Sequence, residues 1–519
     1  MLAITKSMAL QGLEGYLVSI QVDISNGMPD FQIVGLPDTS VKEAKERVKT
    51  AIKNTGIHLN SKKIVINLAP ANTRKEGSKF DLPIALGILI ASGEITNKYL
   101  NQFLEDTIFI GELSLNGKVE KVNGILSSII EAKKLGILRV VIPKENAKEA
   151  SIIEGIEVLP ISHLSEIIEY LNGDGYIEKL QTQIIDLKNK SLYQFDFSEV
   201  KGQENAKRAL EIAAAGGHNC ILIGCPGTGK TMLAQRIPSI LPDITMEEAL
   251  EVTKIYSVTG MISKENPLIT NRPFRSPHHN ITATSLVGGG KIPKPGEISL
   301  AHYGVLFLDE LPEFKNQVLE SLREPLEERK ITLNRNLMNI TYPCNFMLIA
   351  SMNPCPCGYY GDPTHRCVCT PGQIQRYMNK ISGPLLDRID IQCEISPVPF
   401  QDISKAAPGE PSAKIRERVI KAREVQAERF KDYKGIHCNA QMTERMIHQF
   451  AEPDEQGIEL LRMAMEKLSL SARAYNRILK VARTIADLAE SEQIKPDHIA
   501  EAVGYRTLDR GDWAERGHL

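Results

Sequence analysis

Apolar positions in the first 173 residues recur with two periods. GYLVSIQVDISNG and DFQIVGLP read as extended segments, and SVKEAKERVKTAIKNTG carries its apolar residues at helical spacing. KKIVINLAP is a continuous apolar run of strand length, and FDLPIALGILIASGE predicts a largely buried helix. IFIGELSLNGKVEKVNG predicts a hairpin turning at Asn116-Gly117, because that pair accepts the positive φ of a tight turn. A helix over ILSSIIEAKKLG and a strand over RVVIP follow. The alternation predicts one α/β domain over residues 1–175. Residues 176–195 are polar with weak periodicity and predict a linker. Within 196–400 the helical DFSEVKGQENAKRALEIAAAGG feeds the apolar run CILI, and two further apolar strands, GVLFLDELPEF and FMLIASMNP, come later. Residues 401–519 are mostly helical, with LSLSARAYNRILKVARTIADLAE the clearest case.

Composition narrows the function classes. The 519 residues hold 62 Lys+Arg against 64 Asp+Glu, a formal charge of −2, which excludes a basic tail or an acidic solvating chain but leaves room for a local basic channel. No window of about 18 apolar residues predicts a membrane span. The start MLAITKSMALQGLEGY lacks the features of a signal peptide, so a cytoplasmic location is expected. Nine cysteines in such a chain point to reduced thiols or metal ligands.

GCPGTGKT, Gly224 to Thr231, fits G-x-x-x-x-G-K-[ST] between a strand and a helix. Backbone amides of Gly224, Cys225, Pro226, Gly227, Thr228 and Gly229, proline lacking one, would wrap phosphates, with Lys230 on the β and γ oxygens and the Thr231 hydroxyl on Mg²⁺. Asp309 and Glu310 end the second strand, one acid on the metal side and one beside the attacking water. Asn353 ends the third, where an amide would hold that water or the γ-phosphate. ATP and Mg²⁺ are therefore the expected cofactors.

This region is similar to the AAA+ ATPases of the magnesium-chelatase-like branch. GGGKIPKPGEISLAHYGVLFLDELPEF and GPLLDRIDI resemble the ComM (YifB) family in particular, the DNA helicases of natural transformation. The resemblance implies a central AAA+ phosphate-loop α/β domain at 196–400 and a helical lid at 401–519. It implies an arginine finger at Arg388 reaching a neighbour's γ-phosphate, a second sensor at Arg473 with Arg477 one turn on, and hence a homo-oligomeric ring, most simply a hexamer. The function it implies is an ATP-driven helicase or translocase that promotes branch migration on single-stranded or branched DNA, working with the recombination machinery. A magnesium-chelatase ATPase subunit and a Lon-like protease are the competing functions.

Two inserts would face DNA. RPFRSPHHNITATSLVGGGKIPKPGE carries Arg275, Lys291 and Lys294, and EERKITLNRNLMNITYP predicts a hairpin with Arg335 at its tip. Such cations track phosphates without reading sequence. After Asn353, PCPCGYYGDPTHRCVCTPGQ separates the pair Cys355 and Cys357 from the pair Cys367 and Cys369 by nine intervening residues, which suits either a tetrahedral structural Zn²⁺ or free thiols or a reversible disulfide. IVINLAPANTRKEGSKFDLPIAL and the later GELSLNGKVEKVNGILSSIIEAKKLG resemble the proteolytic domain of Lon. The resemblance puts the nucleophile's position at Lys79, with Ser78 in a proline's place, and the activating lysine near Leu126 or Ser128. Covalent catalysis needs a nucleophile and a base in reach of each other, so a Lon-like α/β domain without peptidase activity is expected.

Overall fold

The computed structural model describes residues 2–59, 62–180, 193–263, 265–290, 293–335, 338–397, 409–468, 470–506 and 508. Most of the expected linker, Lys291, the hairpin's Asn336 and the side chain of Arg335 lie outside the described residues. The chain divides into two compact units, Met1–Asp186 with Met246–Ile269, and Leu187–Thr245 with Thr270–Leu519.

In the first unit, Leu2–Gln11 pairs antiparallel with Glu14–Ser25, which pairs antiparallel with Lys63–Ala69, and Asp30–Val34 joins Lys63–Ala69 in parallel. The opening strand was not expected, because its inward row is Ala3, Thr5, Ser7 and Ala9 while Leu2 and Ile4 are exposed, the reverse of the usual alternation. Thr5 compensates for burial by donating its hydroxyl to the Pro83 carbonyl at 2.9 Å. Helix Thr39–Asn54 forms where predicted, with Asp38 capping the Val41 amide and Val41, Ala44, Val48, Ala51 and Ile52 facing the core. Helix Asp81–Ser92 lies tight on the sheet: a Cβ at Gly87 would come within 2.6 Å of Val22 Cγ2. A parallel sheet of Thr107–Phe109, Arg139–Pro143 and Glu157–Ile161 completes the unit, beside a hairpin that turns through Gly117 at φ +88. Helix Met246–Thr259, from within the span expected for the ATPase core, also belongs here, with Leu250 against the cluster of Ile125, Leu126 and Ile129.

The second unit is built on five parallel strands in the spatial order Phe274–Arg275, Val305–Leu308, Met347–Met352, Cys220–Gly224, Ile391–Ile395. Cys220 and Leu222 face one core with helices Glu204–Gly216, Ser412–Phe430 and Ala472–Leu488, while Ile221 and Ile223 face another with Leu306, Leu348 and Leu385. Coverage on both faces is why these strands read as unbroken apolar runs rather than as alternation. The phosphate-loop strand sits between two strands that come later in sequence, which opens a crevice at the carboxyl ends of the sheet. Hairpin Lys330–Arg335 with Met338–Pro343 and the short pair Gly288–Gly289 with Lys294–Pro295 leave this framework as inserts. The α/β layout with a helical C-terminal part matches the expected architecture. Among the described residues, no helix is long and apolar enough to cross a membrane.

Candidate active site

Three neighbouring strands deliver the expected groups to one place. The phosphate loop turns through Gly227 and Gly229, at φ +79 and +87, into helix Lys230–Arg236. Lys230 Nζ donates to the carbonyls of Gly224 and Cys225 at 2.7 and 2.9 Å and to Asn353 Oδ1 at 3.2 Å. Burial lowers its pKa, against the opposing pull of Asp309, Cys225 and Glu310. Thr231 donates its hydroxyl to Asp309 Oδ2 at 2.7 Å. This hydroxyl–carboxylate pair offers hard oxygen donors, the set that suits Mg²⁺. Thus Lys230, Thr231, Asp309 and Asn353 meet directly.

Glu310 is exposed and adopts a left-handed backbone at φ +55, uncommon for a residue with a Cβ and a form of strain that clusters at functional sites. Its amide donates to Asp309 Oδ1 at 3.1 Å, and its carboxylate lies 3.5 Å from His279 Nδ1. Two contributors escaped the sequence reading. Ser351 donates its hydroxyl to Asp309 Oδ1, and His279 faces Glu310. A signal existed for Ser351, which lies two positions before Asn353 and so on the same strand face. His279 comes from an insert whose charges pointed only to DNA.

The arginines gather elsewhere in this unit. Arg388, Arg473 and Arg477 line one polar pocket of about 230 Å³ with Lys480 and Glu327. Arg388 pairs with Glu327 and donates to the Pro384 carbonyl, while its buried Nε finds no acceptor among the described residues. Arg473 is 73% exposed and bridges Asp387 at 2.9 Å. Arg477 bridges Asp390 at 2.9 Å, and Asp390 Oδ2 also meets His218 Nδ1 at 3.0 Å. Burial raises the Asp390 pKa, but Arg477 and His218 overcome it and hold the carboxyl well below the usual range. Arg477 is therefore a buried-network residue, and Arg473 has the freer guanidinium.

Of the cations expected to face DNA, Lys294 is exposed on its short strand. Arg275 donates from both Nε and Nη2 to Glu297 at 2.6 and 2.8 Å, so its charge is paired within the chain. Arg335 ends its strand opposite Met338.

The four cysteines converge. Cys355, Cys357, Cys367 and Cys369 bring their sulfurs within 4.8 Å of one another, with three of the separations at 3.3, 3.6 and 3.7 Å. A tetrahedron of thiolates with Zn–S of about 2.3 Å has edges of about 3.8 Å, so the donor set fits that ion. The same separations are far above the S–S bond length of about 2.05 Å, so the thiols are not paired as disulfides here. Burial pushes the Cys367 thiol up to about 12; at Cys357 the Tyr359 and Val368 amides overcome burial and bring it down to about 6. Burial raises the Cys369 thiol as well, and a bound cation would favour the thiolate form.

In the first unit, Ser78 donates its hydroxyl to Glu112, and Leu126 and Ser128 are both buried. Lys79 has its pKa lowered by burial to about 8.

Comparison with known proteins finds three family models along the chain: magnesium chelatase, subunit ChlI, over residues 196–403; subunit ChlI of Mg-chelatase over 20–146; and magnesium chelatase, subunit ChlI C-terminal, over 409–506. The chain is 46% identical over 510 residues to an uncharacterised protein YifB of Escherichia coli, covering 98% of each. It is 44% identical over 516 residues to the competence protein ComM of Haemophilus influenzae, again covering 98% of each.

Proposed function

The chain belongs to the magnesium-chelatase-like AAA+ family that includes ComM and YifB, and we propose that it is an ATP-driven DNA helicase, assembled as a hexameric ring, that promotes branch migration during recombination in natural transformation. The observation that carries the ATPase part is the convergence of Lys230, Thr231, Asp309 and Asn353, with Glu310 on the adjoining turn. Lys230 exchanges loop carbonyls for the β- and γ-phosphates of ATP, and its charge offsets theirs. Thr231 and Asp309 would hold Mg²⁺, which when bound draws electron density from the γ-phosphoryl oxygens. Ser351 fixes the Asp309 carboxylate, and the strained turn aims Glu310 at the water that attacks in line. Asn353 orients that water or the γ-phosphate. Arg388, on another part of the unit, acts as the finger on the nucleotide of a neighbouring subunit, and Arg473 serves as the second sensor.

Lys294, Lys291 and Arg335 on the two inserts supply the phosphate-tracking charge. DNA affinity then falls steeply with added salt and shows little sequence preference. A second function, the ATPase subunit of a metal-insertion complex, draws support from the chelatase descriptions of the family models. One experiment separates the two: ATP hydrolysis and forked-DNA unwinding by wild type, Lys230→Ala and Glu310→Gln. Hydrolysis stimulated by DNA, with unwinding abolished in Lys230→Ala and hydrolysis reduced about 10²–10⁴-fold in Glu310→Gln, is expected. Hydrolysis indifferent to DNA, with no unwinding by wild type, would sink the helicase function.

A further inference from the structure

Beside the phosphate loop lies a cavity of about 400 Å³ with three walls. One is the stretch around Val200 and Gln203, a second is the phosphate loop with Met232, and the third is the cysteine loop through Tyr359 and His365. Tyr359 and His365 pack ring against ring, centroids 4.9 Å apart at 30°, and give the cavity one aromatic side.

The cysteine loop is fastened to the phosphate loop at two points. Gly358, at φ +88, lies so close to Pro226 that a Cβ there would come within 2.7 Å of the proline ring. Asp362, its side chain only 4% exposed, accepts from the amide and hydroxyl of Thr364 at 2.7 Å each and from the His365 amide at 2.9 Å. Burial and the facing Asp362 carboxylate together push the Cys225 thiol of the phosphate loop up to about 11. Both ends of the loop carrying these groups are gathered by the four thiols, Cys355 and Cys357 before it and Cys367 and Cys369 after it.

We infer that this cavity receives the base of the nucleotide, that Tyr359 and His365 are its stacking wall, and that the four-thiol cluster holds the wall in place. The inference rests on Gly224–Thr231 being a nucleotide phosphate loop. A triphosphate wrapped by the loop amides leaves its nucleoside to extend past Gly229 and Met232, into this cavity. Every base presents a π-face, so an aromatic wall there adds affinity to any purine nucleotide and none to bare phosphate. The cluster matters because Tyr359 and His365 are on a turn with few apolar anchors of its own; without chelation or close packing of the sulfurs the two ends separate and the wall disperses.

The test uses calorimetric binding of ATP and of inorganic tripolyphosphate, each with Mg²⁺, to the full chain. Wild type binds both, and Lys230→Ala neither. Tyr359→Ala is expected to weaken ATP about tenfold and leave tripolyphosphate unchanged, with Tyr359→Phe restoring ATP affinity. Cys367→Ser is expected to weaken ATP by a similar factor, and Tyr359→Ala added to it to cost nothing more, because the wall is already lost. ATP binding unchanged in Tyr359→Ala, or ATP and tripolyphosphate weakened together, overturns the stacking wall. Losses in the two variants that multiply overturn its dependence on the cluster. Wild type binding neither ligand overturns the phosphate-loop reading instead, so the two failures are distinguishable.

Discussion

Asp390, two residues after the expected arginine finger, shows how a single buried acid can be committed to structure beside a residue expected to serve chemistry. Its carboxylate is 1% exposed and held between Arg477 at 2.9 Å and His218 at 3.0 Å. His218 is itself kept neutral by burial, so it donates a hydrogen bond from Nδ1 rather than adding a charge. A carboxyl whose folded pKa is depressed contributes stability above its unfolded pKa of about 3.9, and that contribution is lost as pH falls through the lower folded value. Asp390→Asn is therefore expected to cost about 2 kcal/mol at pH 7, with the gap in melting temperature constant down to about pH 5 and shrinking below about pH 4. Thermal melts over that range check it; a gap unchanged at about pH 3 would refute the ion-pair account. Lys230, Thr231 and the loop glycines could be read from sequence because their chemistry needs fixed local spacing. His218 and His279 could not, since each takes its role from a partner brought close by the fold; Ser351 left only its shared strand face with Asn353 as a signal, its partner Asp309 being 42 residues away.

Elements were legible to the degree that burial was one-sided or complete. Helix Thr39–Asn54 and the phosphate-loop strand each carry the pattern their surroundings demand, an apolar stripe in one and an unbroken run in the other. Leu2–Gln11 was missed because small and polar residues face inward, a pattern that makes sense only once the close approach of helix Asp81–Ser92 is known. The cysteine loop was legible as a cluster but not as an architecture, since C-x-C spacing does not say whether two pairs will meet. They do, with edges that fit a tetrahedral ion. Metal analysis of the purified protein is expected to find zinc in wild type and a reduced content in Cys367→Ser. Stripping the ion with a chelator is expected to lower the melting temperature of wild type and leave that of Cys367→Ser nearly unchanged. Metal-free wild type with an identical melting curve would show the loop to be held by packing alone.

For the whole molecule, the balance of 62 cations against 64 anions places a condition on mechanism. If the chain acts on DNA as proposed, its overall field supplies little attraction, and affinity is expected from a few inserts acting together in an assembly. In the proposed ring, Arg388, tied here to Glu327 within its own chain, would exchange that partner for the γ-phosphate bound by a neighbouring subunit. If so, Lys230 and Arg388 of one chain serve different sites, and two dead variants can repair each other. Lys230→Ala and Arg388→Ala are each expected to lose nearly all ATP hydrolysis. Mixed in equal amounts and allowed to reassemble, they should regain activity at about a quarter of the sites, those where an Arg388→Ala chain contributes its lysine and a Lys230→Ala chain its arginine. Cis action of Arg388 predicts no recovery at any ratio, and the mixing curve, measured by phosphate release, decides between them.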